Sequence, residues 1–233
     1  MNALIYVHQC LSTNDEILLH PNFHNADLVG IYTFHQTLGR GQYGNSWEIS
    51  EQQNVALTVA VSEMYFQHSG VMINFYTAII LRDYIANLTK YEVYIKWPND
   101  LIISSKKIAG ILVEKKAGKY IIGIGVNVLQ KDFSSLPQAG SILSQTGQSP
   151  DLHRFSEELF LDFSRLFSLK IPKALLSDYN KHLFRKDKIS VFEISGVRQN
   201  GIIQQVDSEG YLWINLEKEG IRKFFHKEIV LLY

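Results

Sequence analysis

The stretch that most constrains this fold is residues 36–47, Q-T-L-G-R-G-Q-Y-G-N-S-W. Gly39, Gly41 and Gly44 free the backbone for positive φ and bring its N–H groups close to an anion, while Arg40 adds a permanent charge. Taken alone, Gly39-x-Gly41-x-x-Gly44 matches the dinucleotide fingerprint, which requires a strand before it and a helix directly after it. A strand is expected at residues 28–35, L-V-G-I-Y-T-F-H. No helix is expected after the loop, which runs through N-S-W-E-I-S-E-Q-Q-N into another β-like run at residues 55–61. A Rossmann fold is thereby disfavoured, and the loop is either an anion cradle or a glycine-rich hairpin without a ligand.

The bulk properties narrow the class further. The chain has 233 residues, 46% of them hydrophobic and 20% charged, enough to bury one large or two modest cores. Lys+Arg and Asp+Glu are both 23, so nothing in the overall charge favours nucleic acid or an anionic membrane surface. A single cysteine, Cys10, excludes an internal disulfide framework and a multi-cysteine metal site, and a cytoplasmic location is the expectation. Residues 71–88 are the most apolar long stretch, but Asn74, Arg82, Asp83 and Asn87 interrupt it, so no membrane span is expected.

In chain order, residues 4–7 read as a first strand. Ser12, followed by Asp15 three positions later, resembles a capping box, which puts Ser12 and Thr13 at the exposed start of a short helix; Ser12 is either a cap or a ligand group. Trp47 closes the glycine loop either as a core anchor or as a flat surface on which a ring stacks. Residues 54–61 are nearly continuous in apolarity, as in a buried central strand, and residues 71–88 predict a mostly buried helix against the sheet.

Residues 93–101, V-Y-I-K-W-P-N-D-L, and 106–114, K-K-I-A-G-I-L-V-E, predict two strands joined by a hairpin at Ser104-Ser105-Lys106. This places Lys96 and Asp100 near one strand end and Lys107 at the start of the next. Lysines at strand ends are ordinarily solvated edge residues. Two of them converging with Arg40 on a backbone N–H cradle would instead stabilise a phosphate and the charge developing on it. The strand at residues 120–128 carries two glycines, a sign of close approach to its backbone, and ends in Asn127, which suits either a base edge or turn chemistry. Residues 131–150 read as an irregular surface connection. A helix follows, with Asp151 as its N-cap, Phe155, Leu159, Phe163, Leu166 and Phe167 on one face, and Pro172 as its stop. After a second short helix at residues 173–183, short strands with turn pairs at Asn200-Gly201 and Glu209-Gly210 predict an antiparallel barrel of roughly fifty residues.

The glycine loop, K-W-P-N-D, K-I-A-G-I-L-V-E and G-I-G-V-N, in this order, resemble the biotin protein ligases, from S-T-N-D at residue 12 to the C-terminal barrel. The resemblance implies an α+β fold: a mixed-sheet catalytic domain flanked by helices, of the class II aminoacyl-tRNA synthetase and biotin ligase type, at residues 1–184, and an SH3-like β-barrel at 185–233. It implies a two-step reaction, in which biotin and ATP give biotinyl-5′-AMP and pyrophosphate, and the biotinyl group then passes to a lysine of a biotin carboxyl carrier protein. Mg²⁺ would be held mainly through the ATP phosphates. By the same resemblance Ser12, Thr13, Gln36, Gly39 and Arg40 would hold biotin's ureido ring and carboxylate. Lys107 would bridge that carboxylate and the α-phosphate, and Gly110 and Ile111 would line the biotin pocket. Gly41, Gly44, Trp47 and Asn127 would face ATP, with Lys96 and Asp100 near the reacting centre.

Two departures stand out. Many members read G-R-G-R-x-G-R-x-W, whereas Gln42 and Asn45 occupy the second and third arginine positions here, so the loop relies on Arg40, its N–H groups and Lys107. Some members also carry an N-terminal helix-turn-helix; about ten residues before Ser12 leave no room for one, and DNA binding is not expected. A homodimer through a sheet edge such as residues 107–114 is a further expectation. Two other functions fit the same scaffold: lipoate or octanoate attachment, and non-catalytic biotin binding.

Overall fold

The computed structural model describes residues 3–47, 50–65, 69–167 and 171–233. It is an α+β protein. The chain starts with β1 (Ala3–Tyr6), a single helical turn α1 (Thr13–Glu16) and β2 (Leu28–Thr33). The glycine loop follows as two short strands, β3 (Gly39–Arg40) and β4 (Ser46–Trp47), that pair with each other and flank a 3₁₀ turn. Among the described residues no α-helix lies between the loop and β5 (Asn54–Ser62), which agrees with the non-Rossmann reading. Then come α2 (Gly70–Thr89), β6 (Tyr94–Lys96), β7 (Asp100–Ile103), β8 (Lys106–Lys116) and β9 (Lys119–Asn127).

These strands form one seven-stranded sheet in the order β1-β2-β5-β9-β8-β7-β6. Only β1 and β2 are parallel, so the sheet is mixed. Strand β5 sits between β2 and β9 and is buried along all but its last residue, which accounts for its near-continuous apolar sequence. Helix α2 starts at Ser69, whose hydroxyl accepts from the Met72 N–H, and ends at Lys90 in the left-handed conformation (φ 63°). Its apolar residues cover most of its circumference because it is packed against β6, β7 and β8 and against two later helices.

The Ser104–Ser105 turn joins β7 to β8 as expected, with both residues at positive φ (47° and 64°). The strand suggested for pairing between subunits is not an edge along most of that length. Lys106–Gly110 is laddered to β7, and Ile111 exchanges hydrogen bonds with Asn99 (3.0 and 2.6 Å). Only Leu112–Lys116 lacks a strand on that side among the described residues.

Residues 131–150 are less irregular than their composition suggests. They contain α3 (Ile142–Thr146), which Ser141 and Ser144 start with a reciprocal capping box and Gly147 ends at φ 75°. Helix α4 (Leu152–Phe167) buries Phe155, Leu159, Phe163 and Phe167, and the Asp151 carboxylate accepts from the Arg154 N–H at 2.8 Å, as an N-cap should. Residues 168–170 lie outside the described set. Helix α5 (Leu175–Lys181) is shorter than expected.

The last unit is a five-stranded antiparallel sheet built from β10 (Ile189–Ile194), β11 (Val197–Val206), β12 (Leu212–Leu216), β13 (Gly220–Phe224) and β14 (Val230–Leu232), in the order β13-β12-β11-β10-β14. The turn expected at Asn200-Gly201 is absent. Strand β11 runs straight through these residues, and the chain reverses instead at Ser195–Gly196, both at positive φ. Gly201 is small for packing reasons: a Cβ there would lie 2.9–3.1 Å from Ile214, Leu216 and Phe192 side chains. The Glu209-Gly210 turn is where the sequence puts it.

Candidate functional site

The glycine loop folds over the faces of β8 and β9 and encloses a cleft with about 440 Å³ of empty space, including its open mouth. The flat floor has a simple origin. Gly110 of β8 and Gly125 of β9 are directly opposed in the ladder, and the Trp47 indole lies across both. A Cβ on Gly125 would land within the van der Waals surface of that ring, so the indole's seat exists only because the strand has no side chain there. Trp47 is therefore anchored on one face by backbone.

One end of the cleft is closed by a buried polar network. Gln36 Oε1 accepts from the Thr13 N–H (2.8 Å) and the Thr13 hydroxyl (3.1 Å). The Thr58 hydroxyl lies 2.8 Å from Thr13 Oγ1 and 2.7 Å from Asn14 Oδ1, and Asn14 Nδ2 donates to Glu114 Oε2 at 2.8 Å. Asn14 in turn rests on Gly123, where a Cβ would strike its amide. Ser12 and Thr13 are buried rather than exposed, and Ser12, although its backbone is extended as at an N-cap, makes no side-chain hydrogen bond to the helix.

The other end is cationic. Lys107 Nζ lies 2.7 Å from Asp100 Oδ1 and 5.5 Å from the centre of the Trp47 ring. Lys96 lies on the far side of Asp100. Burial pulls its pKa below the ordinary lysine value and neighbouring Lys107 adds to that, while the Asp100 carboxylate opposes the fall. Arg40 spans the mouth, with its guanidinium on Asp15 (2.9 Å) and Glu114 (3.2 Å), and Lys116 shares both carboxylates. These pairs are exposed enough that each contributes no more than about 1 kcal/mol, so an anionic ligand can compete for the guanidinium.

Most of the expected residues converge. Ser12, Thr13, Gln36, Arg40, Gly41, Trp47, Gly110 and Ile111 line the cleft, with Lys107 and Asp100 adjoining it. Gly39 supports it, pressed between Gln36 and the Trp47 backbone, whereas Gly44 (φ 82°) lies at the outer bend of the loop. Lys96 faces a neighbouring cavity shared with the C-terminal sheet. Asn127 is not among the residues lining the cleft: it is buried, and its Nδ2 donates to the Gly140 carbonyl at 3.0 Å, tying down the loop after β9. Asn14, Thr58, Asn99, Glu114, Gly123 and Gly125 were not anticipated as site residues. The paired glycines of G-I-G-V-N and the single threonine in the apolar β5 run carried the available signal. Cys10 supplies no nucleophile, since burial and the Glu16 carboxylate push its thiol up to about 11. Among the described residues no group of three or more His, Cys, Asp or Glu side chains converges as a metal-holding set.

Comparison with known proteins agrees with this geometry. Residues 10–130 match the Biotin/lipoate A/B protein ligase family. The biotin–[acetyl-CoA-carboxylase] ligase of Mycobacterium tuberculosis is 28% identical over 220 residues, covering 90% of this chain and 82% of that protein. The bifunctional ligase/repressor BirA of Escherichia coli is 26% identical, with 81% of this chain aligned to 61% of that longer protein. In fold, the biotin protein ligase of Aquifex aeolicus, solved with biotin and ATP, superposes with a TM-score of 0.82 at 20% identity over 99% of this chain and 98% of that one. The Leishmania major biotin protein ligase with biotinyl-5-AMP gives 0.68 at 18% identity, covering 96% and 98%. With a family match spanning just over half its length and including the loop, both lysine-bearing strands and the polar network, this chain belongs to the Biotin/lipoate A/B protein ligase family.

Proposed function

We propose that this protein is a biotin–protein ligase that makes biotinyl-5′-AMP from biotin and MgATP and passes the biotinyl group to a lysine of a biotin carboxyl carrier protein. The observation that carries the reading is one cleft with a buried hydrogen-bonding end and a cationic end, roofed by an indole seated on two glycines. A ureido ring offers two N–H donors and a carbonyl acceptor, which suit the Thr13, Asn14, Gln36 and Thr58 groups. A dithiolane ring or an alkyl chain offers neither the donors nor the acceptor, and would leave that network bonded only to itself without the added contacts that select a ureido ring.

In the first step a biotin carboxylate oxygen attacks the α-phosphorus, the bond to the bridging oxygen breaks, and pyrophosphate leaves. Anion meets anion, so the site must supply fixed positive charge. Lys107, held by Asp100, would bridge the carboxylate and the phosphate, with Lys96 beyond Asp100 and Arg40 at the mouth beside Asp15 and Glu114. Mg²⁺ carried on the ATP phosphates would offset the charge of the triphosphate and of the leaving pyrophosphate. In the second step a carrier lysine, as the free amine, attacks the acyl carbon, AMP leaves, and the amine gives up its proton. Residues 1–184 supply this site, and residues 185–233 form the SH3-like unit.

Purified protein with biotin and MgATP is expected to release pyrophosphate and yield biotinyl-AMP, and to raise the mass of an added carrier domain by one biotinyl group. Lys107→Ala should slow adenylation by about a hundredfold or more, the scale of one transition-state charge contact. Turnover with lipoate or octanoate but not with biotin would sink the assignment.

A further inference from the structure

We propose that Tyr233, delivered by the segment after β14, is a positioning residue for Lys96 and Lys107, its ring capping the Lys96 ammonium while its main chain is tied to the strand that bears Lys107. The proposal rests on the biotin and ATP reading above and extends it by making the C-terminal sheet complete the ATP side of the cleft. Three contacts carry it. Lys96 Nζ lies 5.4 Å from the centre of the Tyr233 ring, where the negative face of an aromatic ring attracts a cation. The ring is fixed from the side by Phe184, edge-on at 69° with centroids 5.0 Å apart. The Tyr233 carbonyl accepts from Gln138 Nε2 at 3.2 Å, and the Gln138 carbonyl accepts the Lys107 N–H at 2.8 Å.

Lys96 is a half-buried cation on a flexible four-carbon stem, and such a group is useful toward a phosphate only if something holds it. Its surroundings are Asp100 on β7, Lys107 on β8, His226 and Lys227 in the connection before β14, and Tyr233. Asp100 is already shared with Lys107 at 2.7 Å. The ring face is thus the contact that fixes Lys96 without drawing Asp100 away from Lys107. Burial, with the Asp100 carboxylate adding to it, pushes the Tyr233 phenol up to about 12, so it stays neutral and does not neutralise the ammonium beside it.

The test compares Tyr233→Ala, Tyr233→Leu and Tyr233→Phe in the full chain. Tyr233→Ala should raise KM for MgATP by about tenfold, while the biotin Kd measured without nucleotide stays within about twofold. Rehydration should also move the alkaline limb of kcat/KM for ATP to higher pH, since Lys96 would titrate nearer its ordinary value. Tyr233→Leu, apolar but without a ring face, should raise KM for MgATP without that upward movement, and Tyr233→Phe should match the unaltered protein. ¹³C-methyl NMR of reductively methylated lysines, recorded without substrates, reads the Lys96 titration independently and should show the same upward shift in Tyr233→Ala. Wild-type ATP kinetics in both Tyr233→Ala and Tyr233→Leu overturn the proposal, as does equal weakening of biotin and ATP binding. If the unaltered protein makes no biotinyl-AMP, it is the functional reading that fails, and the NMR titration still decides whether Tyr233 holds Lys96.

Discussion

At the scale of single residues, the site depends as much on side chains that are missing as on those that are present. Gly110 and Gly125 form the seat of Trp47, so Gly125→Ala forces the indole off the sheet and disrupts the roof of the cleft. A biotin affinity reduced by about tenfold or more, with altered tryptophan fluorescence, is the expected result, given that misplacement of a positioning group by about 1 Å has effects of this size. Arg40 makes a second case. Asp15 and Glu114 hold its guanidinium, and would compete with the phosphate of an adenylate for it. Glu114→Gln removes one competitor while keeping an oxygen for Asn14 Nδ2, and should lengthen the half-life of bound biotinyl-AMP by about two- to fivefold, in line with an exposed ion pair. A shorter half-life would mean that the pair instead latches the loop over the intermediate. Arg40, Lys96, Lys107 and Trp47 carried an overt chemical signature in a glycine-rich frame, whereas Gln36, Gly110 and Ile111 were named only through the family resemblance. Thr58 and Asn14 escaped because their role comes from which face of a strand meets which turn, a relation fixed only by the ladder between β5 and β9.

At the scale of elements, turns decide what reaches the site. The β11–β12 turn is organised by Asp207, which accepts from Trp213 Nε1 (2.7 Å) and from the N–H groups of Glu209 and Tyr211 (both 3.0 Å). That turn presents the Gly210 carbonyl to Trp97 Nε1 at 3.0 Å, docking the C-terminal sheet on the K-W-P-N-D segment between Lys96 and Asp100. Partial burial pushes the Asp207 carboxyl up, but these three donors and the Gly210 N–H outweigh it and its pKa lies below the usual carboxylate value. Because the folded value is depressed, this stabilisation is complete above the unfolded carboxylate range and is lost as pH falls through the folded value. Asp207→Ala should therefore cost about 1 kcal/mol near neutrality, and the gap in Tm from the unaltered protein should close progressively below about pH 4. A gap that is constant with pH would sink this account. The turn at Glu209-Gly210 was legible because a glycine at positive φ (94°) performs its ordinary task there. The pair Asn200-Gly201 misled because Gly201 serves side-chain packing across two strands, which local turn chemistry does not register.

At the scale of the whole molecule, the two sheets share a core. Phe192, Ile203, Val206, Leu212 and Ile214 of the C-terminal sheet belong to the same buried cluster as Leu57, Ile73, Leu101 and Ile122 around the large sheet. Asn180, at the end of α5, clasps β11 directly: its Oδ1 accepts from the Val206 N–H (2.6 Å) and its Nδ2 donates to the Val206 carbonyl (2.9 Å). The neighbouring Tyr179 is buried, packs against Phe75 with ring centroids 4.1 Å apart and donates to the Pro98 carbonyl at 2.9 Å, so one short helix joins α2, the K-W-P-N-D turn and the C-terminal sheet. The sequence foretold two units from the return to short strands near residue 188, yet could not foretell their union, because the clasp is an asparagine meeting a backbone 26 positions away. A shared core of this kind makes unfolding of one sheet expose the apolar face of the other, so the two should melt as one. Calorimetry should give a calorimetric enthalpy equal to the van't Hoff value, and Asn180→Ala, which leaves two buried main-chain groups of Val206 unpaired, should lower stability by about 2–3 kcal/mol while keeping a single transition. Two resolved transitions in the unaltered protein would show that the sheets are independent and that Tyr233 reaches Lys96 from a unit free to leave it.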